Sequence, residues 1–254
     1  MILRRSTPAW AALAAVSLTA GHAQAAFTSP GWTRPADAGE AAAAWTTYEF
    51  WDAAPLLEGG AYTSTSVTNA PTTSVNPNGS GLAGDANDAN SGSFLTSSGS
   101  IYSMSETDFI QPRAIIQSYD RGDAFATQFL IQISTFGNLL DPTSPDFLTV
   151  NGVDVTQLAS FVYTELSRLE QSFSPPGGPT STVYAVEHAW SFTLPGNADQ
   201  YTIDLAWGVD STSLGDWSID TRVIPEPASL ALLGGAMAAG VLRRPRGSRR
   251  LRRC

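Results

Sequence analysis

The chain has 254 residues, 23 of them acidic and 14 basic, with a formal net charge of −9 and a single cysteine. Every basic residue is an arginine; residues 27–224 contain five of them against 22 acidic residues, a formal charge near −17. So acidic a body repels nucleic acid and anionic membrane surfaces, because both are negatively charged. The one cysteine is Cys254, so the body folds without disulfides or thiolate metal sites.

Residues 1–26 have the composition of a secretory signal peptide. Arg4 and Arg5 form a basic start, and residues 9–20 form a short apolar run. A small-x-small site for signal peptidase ends at Ala25, with Ala26 as the alternative last residue. The alternative is an uncleaved membrane anchor, but the apolar run is short for a membrane span.

The body, residues 27–222, opens with few regular patterns. Residues 41–44 could start a helical turn, whereas the aromatic cluster of Trp45, Tyr48, Phe50 and Trp51 favours an early strand. Residues 63–99 form a low-complexity, loop-rich stretch of Ser, Thr, Asn and Gly. This stretch predicts either a long surface excursion or thin, short strands.

Strand signals recur along the rest of the body. Residues 115–119 and 125–135 predict strands, and the second places alternate residues on one face: Thr127, Phe129, Ile131 and Ile133. Asn151 and Gly152 lie between two short apolar runs, and both accept the positive φ of a type I′ turn. They therefore predict a β-hairpin.

Four further segments predict the later strands. Residues 161–173 alternate as a strand does, with Phe161, Tyr163 and Leu169 in phase, although Val162, Leu166 and Leu169 also fit a helix. After a turn at 174–180, residues 184–194 and 201–207 alternate strongly, and Trp217 and Ile219 indicate a last strand. We expect an all-β fold: an antiparallel, jelly-roll-like β-sandwich flanked by an N-terminal signal helix and a C-terminal transmembrane helix.

The C-terminal end combines three features. Residues 228–242 form an uncharged run of 15 residues, roughly 22 Å long as a helix and shorter than the ~30 Å hydrocarbon core. Arg243, Arg244 and Arg246 begin a basic tail over 243–254, whose charges would retain it on the cytoplasmic side. Before the run, Pro225 and Pro227 disfavour helix at the residue preceding each, so we expect an extended, accessible segment.

The stretch Val223-Ile224-Pro225-Glu226-Pro227-Ala228-Ser229-Leu230-Ala231-Leu232-Leu233-Gly234, followed by the arginines, resembles a PEP-CTERM sorting signal. Proteins with such tails are substrates of exosortases, membrane proteases of Gram-negative bacteria that tend to make exopolysaccharide. The resemblance implies recognition at Pro225, Glu226 and Pro227, transient membrane contact through the apolar span, and removal of the tail. It also implies a final place at the cell surface or in the extracellular matrix. An ordinary, uncut C-terminal anchor is the alternative.

His188 is the only histidine outside the signal peptide, and it lies in phase with the aromatic face of its strand. This position favours a buried structural histidine over a catalytic base. The chain has neither a nucleophile elbow nor a metalloprotease helix. We therefore expect no enzyme, with a secreted hydrolase as a remote alternative.

Two clusters of oxygen-bearing side chains raise the question of calcium. Asp85, Asn87 and Asp88 are close in sequence, but they do not meet the EF-hand spacing, so a solvated loop is the favoured interpretation. A second set comprises Asp120, Asp123, Asp141 and Asp146. The expectation is no cofactor, with Ca²⁺ as the alternative.

Six tryptophans of the body suggest a further alternative. Trp190 and Trp207 are in phase with core faces, whereas four others have no assigned environment: Trp32, Trp45, Trp51 and Trp217. Exposed aromatic faces bind sugars, although core packing is the commoner use of tryptophan. The sequence predicts a non-catalytic surface or matrix protein, with a carbohydrate-binding module as the alternative.

Overall fold

A computed structural model describes residues 31–51, 73–78, 82–85, 94–95, 101–103, 112–174, 179–206 and 211–226. These residues form one α-helix, α1 (Ala38–Ala44), one 3₁₀ turn (Val155–Gln157) and thirteen strands. The strands are β1 (Thr46–Trp51), β2 (Thr73–Ser74), β3 (Leu82–Asp85), β4 (Phe94–Leu95), β5 (Ile101–Ser103), β6 (Pro112–Gln117), β7 (Phe125–Gly137), β8 (Leu148–Val150), β9 (Val153–Asp154), β10 (Val162–Phe173), β11 (Ser181–Pro195), β12 (Gln200–Leu205) and β13 (Thr212–Pro225).

The strands form two antiparallel sheets. The first has the order β10-β11-β7-β13-β1-β2, with β5 paired to the start of β13 and β4 paired to β5. The second has the order β3-β6-β12-β8-β9. The chain changes sheet at eight connections between described strands, so strands that are consecutive in sequence often lie in different sheets.

Both sheets contribute side chains to one hydrophobic core. On the first sheet, β7, β11 and β13 turn the same face inward, which buries Phe129, Ile131, Ile133, Trp190, Phe192, Trp217 and Ile219. On the second sheet, β6, β8 and β12 bury Ala114, Ile116, Leu148, Val150, Ile203 and Leu205. The Phe129 and Tyr201 rings meet edge to face across the sheets at 4.9 Å between centroids. Full burial of one such side chain stabilises the fold by about 1.5–3 kcal/mol.

The helical turn and the strand considered for residues 41–51 both form: α1 ends at Ala44 and β1 begins at Thr46. The Asp37 carboxylate accepts hydrogen bonds from the amides of Gly39 and Glu40 at 2.8 and 2.9 Å, which caps an alanine-rich helix. Trp45 ends α1 in the left-handed region at φ 52°, and β1 begins at the next residue.

The predicted hairpin is confirmed. Asn151 and Gly152 have φ values of 50° and 75° and join β8 to β9. The Asn151 side chain also accepts a hydrogen bond from the Thr202 amide at 2.8 Å, which ties the turn to β12.

The segment 161–173 is a strand, and a bulge explains its helix-like spacing. The register of β10 on β11 shifts between Glu165 and Ser167. Tyr163 therefore lies opposite the buried Trp190, whereas Leu169 lies opposite Ala185 on the other face and is 58% exposed. The predicted sharing of one face by Tyr163 and Leu169 is wrong, because an inserted residue reverses the alternation.

Two further features concern the first sheet. On the outer face of the first sheet, Gln132 is fully buried. β13 extends to Pro225, so residues 223–225, which the resemblance assigns to the sorting signal, are paired in the first sheet. Within the described ranges no helix is long and apolar enough to cross a membrane; the proposed span 228–242 and signal peptide 1–26 fall outside them.

Candidate functional site

The first two residues of the Pro-Glu-Pro motif lie against the folded body. Pro225 is the last residue of β13 and pairs with Phe125 of β7. The Glu226 amide donates a hydrogen bond to the Ala124 carbonyl at 3.2 Å, and the Glu226 carboxylate accepts one from the Gly196 amide at 3.3 Å. The motif is extended here, and Pro225 is exposed while Glu226 is half-buried. Pro227 lies outside the described residues.

Two loops form the surface on which Glu226 lies. The backbones of Gly122 and Asn197 exchange hydrogen bonds at 3.0 and 3.1 Å, which joins the loop before β7 to the loop after β11. Both Gly122 and Gly196 have positive φ values, 74° and 78°, which glycine adopts without strain. The amide of Gly196 is thereby directed toward Glu226.

The Asn197 side chain holds these loops together and is only 2% exposed. Its Oδ1 accepts a hydrogen bond from the Arg121 amide at 2.9 Å, and its Nδ2 donates to the hydroxyls of Ser118 and Thr127 at 3.0 and 2.9 Å. Because its carbonyl and amide groups both have partners, its burial costs little. The two loops that contact Glu226 are therefore fixed relative to each other by Asn197.

On the other side of β13, the approach to the motif is bordered by aromatic and cationic groups. The Val223 amide donates to the Trp45 carbonyl at 2.9 Å. The Trp45 ring packs edge-on against Phe125 at 5.6 Å, and the Arg121 guanidinium lies 4.2 Å from the centroid of Trp45. The end of β13 is thus bonded on one side to Trp45, just before β1, and on the other side to β7.

His188 is buried, as its phase on β11 predicts. Its Nδ1 and Nε2 lie 2.9 Å from the Tyr163 hydroxyl and 3.0 Å from the Thr135 hydroxyl, and its ring stacks on Trp190 at 5.8 Å. Burial lowers the pKa of His188 to about 4, so the ring is neutral at neutral pH. The hydroxyls of Tyr163 and Thr135, on the two strands that flank β11, thus hold the ring on the inner face of the first sheet.

The outer face of the first sheet carries an ion pair that the sequence did not indicate. Arg34 forms a bidentate pair with Asp220, with Nε and Nη2 each 3.0 Å from a carboxylate oxygen, and it also donates to Gln132 at 3.1 Å. The guanidinium lies 4.1 Å from the centroid of Tyr48. Burial raises the pKa of Asp220, although the hydrogen bond and charge of Arg34 act in the opposite direction. The segment around Arg34 thereby covers the sheet.

A polar groove lies beside this pair. It has a volume of about 220 Å³ and is lined by Trp32, Gln128, Ser160, Ser191, Thr193 and Arg222, with Phe129 and Phe192 below. The Arg222 guanidinium lies 4.5 Å from the centroid of Trp32, and its Nε donates to Gln128 at 2.6 Å. An aromatic ring beside hydroxyls, an amide and a guanidinium is a combination suited to sugar hydroxyls.

The oxygen-rich candidates for calcium are not assembled in the described part of the chain. Asp85 is the last residue of β3, whereas Asn87 and Asp88 lie outside the described residues. The Asp141 carboxylate accepts hydrogen bonds from the amide and hydroxyl of its neighbour Thr143 at 3.1 and 2.8 Å. Among the described residues, no three His, Cys, Asp or Glu side chains cluster as a metal site would require.

Of the remaining residues singled out in the sequence, some lie in the described part of the chain and others lie outside it. Trp51 and Trp217 are fully buried and pack at 5.1 Å between ring centroids, whereas Trp32 and Trp45 are half-buried. Trp207 falls outside the described ranges, as do the cleavage residues Ala25 and Ala26 and the basic residues Arg243, Arg244 and Arg246.

No family model, no curated protein and no solved structure matches this chain.

Proposed function

We propose that this chain is an exported, non-catalytic protein of a Gram-negative bacterium, released by signal peptidase at Ala25 or Ala26 and processed by an exosortase. The observation that carries the proposal is the order of features at the end of the chain: Pro225-Glu226-Pro227, an uncharged run and an arginine cluster. The basic tail stays in the cytoplasm, the run contacts the membrane until cleavage, and the acidic body lies outside.

The body then acts at the cell surface or in the extracellular matrix, in association with exopolysaccharide and without nucleic acid. Its finer architecture is proposed as a jelly-roll-like antiparallel sandwich, between a signal helix and a transmembrane helix. Two observations support the sandwich: one core shared by both sheets, and a chain that repeatedly crosses between them. The molecule uses no cofactor in this proposal; a Ca²⁺ site, if the body has one, involves Asp85, Asn87 and Asp88.

Intact-mass analysis of the extracellular protein tests the sorting proposal. In a Gram-negative host that encodes an exosortase, we expect an N-terminus just after Ala25 or Ala26 and the loss of everything beyond the Pro225–Pro227 region. Glu226→Ala should accumulate the uncut chain, whereas Glu187→Ala, which removes a carboxylate of β11, should be processed normally. Secreted material that still ends in Cys254 would refute the proposal.

A second candidate function is carbohydrate binding, which the groove beside Trp32 favours. Its lining offers hydroxyl, amide and guanidinium groups next to a half-buried indole. A glycan-array screen of the processed protein tests it, with Trp32→Ala expected to abolish binding and Trp45→Ala, which removes a half-buried tryptophan elsewhere, expected to retain it. Absence of selective binding leaves the structural role; binding insensitive to Trp32→Ala assigns the sugar to another surface.

A further inference from the structure

The sorting motif follows the last strand of the body without a linker. β13 is paired to β7 up to Pro225, opposite Phe125, and Glu226 continues this pairing through its amide and its carboxylate. In the sequence, Pro227 alone separates Glu226 from the uncharged run that begins at Ala228. The folded body would therefore lie directly against the membrane surface, with half of the motif docked on it.

A docked motif is a poor protease substrate. Peptides are commonly bound in extended form through their backbone amide and carbonyl groups, with side chains in separate pockets. The Glu226 amide already donates to Ala124, and its carboxylate already accepts from Gly196, so both groups are engaged by the body. Val223 is 6% exposed and is tied to Trp45, which limits how far the strand end can move while the sheet is intact.

We propose that the body regulates its own processing: docking of Val223–Glu226 withholds the motif from the exosortase, and cleavage follows release of these residues. The proposal rests on the sorting function proposed above. The motif is available before β13 docks, or when the strand end opens locally, which costs less free energy than global unfolding. Completed folding thus slows removal of the tail and prolongs the time for which the body stays at the membrane.

The matched experiment inserts a flexible spacer between Ile224 and Pro225 of the full chain. Six Gly and Ser residues there leave the motif, the apolar run and the arginines unchanged, but they free Pro225 and Glu226 from the body. The control is the same spacer placed between residues 174 and 180, in the connection from β10 to β11. Both variants are followed beside wild type by pulse–chase labelling and intact mass, in the exosortase-encoding host.

We expect the motif spacer to accelerate loss of the tail several-fold and the control spacer to leave the rate unchanged. Resistance of the variant's body to limited proteolysis must equal that of wild type, since acceleration through global unfolding would contradict the proposal. Processing of the motif-spacer variant at or below the wild-type rate overturns the regulatory role alone. Failure of all three chains to be processed overturns the sorting function and this inference with it.

Discussion

His188 is a polar side chain on the inner face of the first sheet, where it bonds to the hydroxyls of Tyr163 and Thr135 and stacks on Trp190. Its environment makes protonation unfavourable, since a charged imidazole in the core would lose hydration and its single hydrogen-bond acceptor nitrogen. The residue is therefore part of the packing of β10, β11 and β7 rather than a proton carrier.

The His188 pKa predicts a pH dependence of stability. The pKa is about 4 when folded against 6.5 as the ordinary value, so the unfolded chain binds the proton more readily. The contribution of His188 is fully present above pH 6.5 and is lost as the pH falls toward 4, by about 3 kcal/mol in total. Urea unfolding of the processed protein at several pH values between 4 and 7 measures it, and His188→Gln should show a correspondingly flatter slope. Parallel slopes for the two proteins would show that His188 does not carry this dependence.

Arg34 and Asp220 predict a second pH-dependent effect. Arg34→Ala leaves the Asp220 carboxylate, which is 2% exposed, without its bidentate partner, and we expect a loss of about 3 kcal/mol at neutral pH. The loss should shrink at acidic pH because a protonated carboxyl no longer needs a cation. Denaturant unfolding checks both values. Asp220→Asn should reduce the cost of losing Arg34 in a double-mutant cycle, and strictly additive losses would contradict the assigned pairing.

At the scale of elements, alternation predicted the long strands well. β7 and β11 show the period of two because each buries one face against the second sheet. The same rule failed inside β10, where the bulge at Leu166 reverses the phase and nothing in the local sequence marks it. The Asn151–Gly152 turn was predicted because its backbone requirement is local.

Substitution of two glycines by alanine allows the cost of an unfavourable φ to be compared with the cost of a steric clash. A Cβ at Gly152 would meet nothing within 4 Å, so Gly152→Ala costs only the positive φ of 75°, about 1 kcal/mol. A Cβ at Gly137 would come within 3 Å of the backbone of Ser211 and Thr212, so Gly137→Ala must also displace the start of β13. Thermal unfolding should show a small decrease for the first variant and a much larger one for the second. Equal decreases would mean that the backbone of β13 moves away from a Cβ at Gly137 at little cost in free energy.

At the scale of the whole molecule, the end of β13 brings the first residues of the proposed sorting signal into the first sheet. Val223 is buried, its amide donates to the Trp45 carbonyl just before β1, and residues 223–225 pair with β7. Tertiary pairing thus continues past residue 222 as far as Pro225.

Shortening the chain tests that boundary. A protein ending at residue 222 should be less stable than one ending at residue 226, by about 2 kcal/mol, because it loses the burial of Val223 and its hydrogen bonds. Guanidinium unfolding of the two chains, both without the signal peptide, gives the difference. Equal midpoints would place Val223–Glu226 outside the cooperative unit and would weaken the case for a docked motif.

The sequence by itself determined the acidic, lysine-free composition, the period of the long strands and the type I′ turn, because these depend on residue type and near neighbours. It also carries the Pro225-Glu226-Pro227 motif on which the sorting proposal rests, because that motif is linear. Only the tertiary structure decided that Arg34 reaches Asp220 across 186 positions, that Gln132 is covered, and that Glu226 rests on Ala124 and Gly196. Such contacts depend on strand order and register, which are selected by packing of the complete sheet and leave no local pattern in the chain.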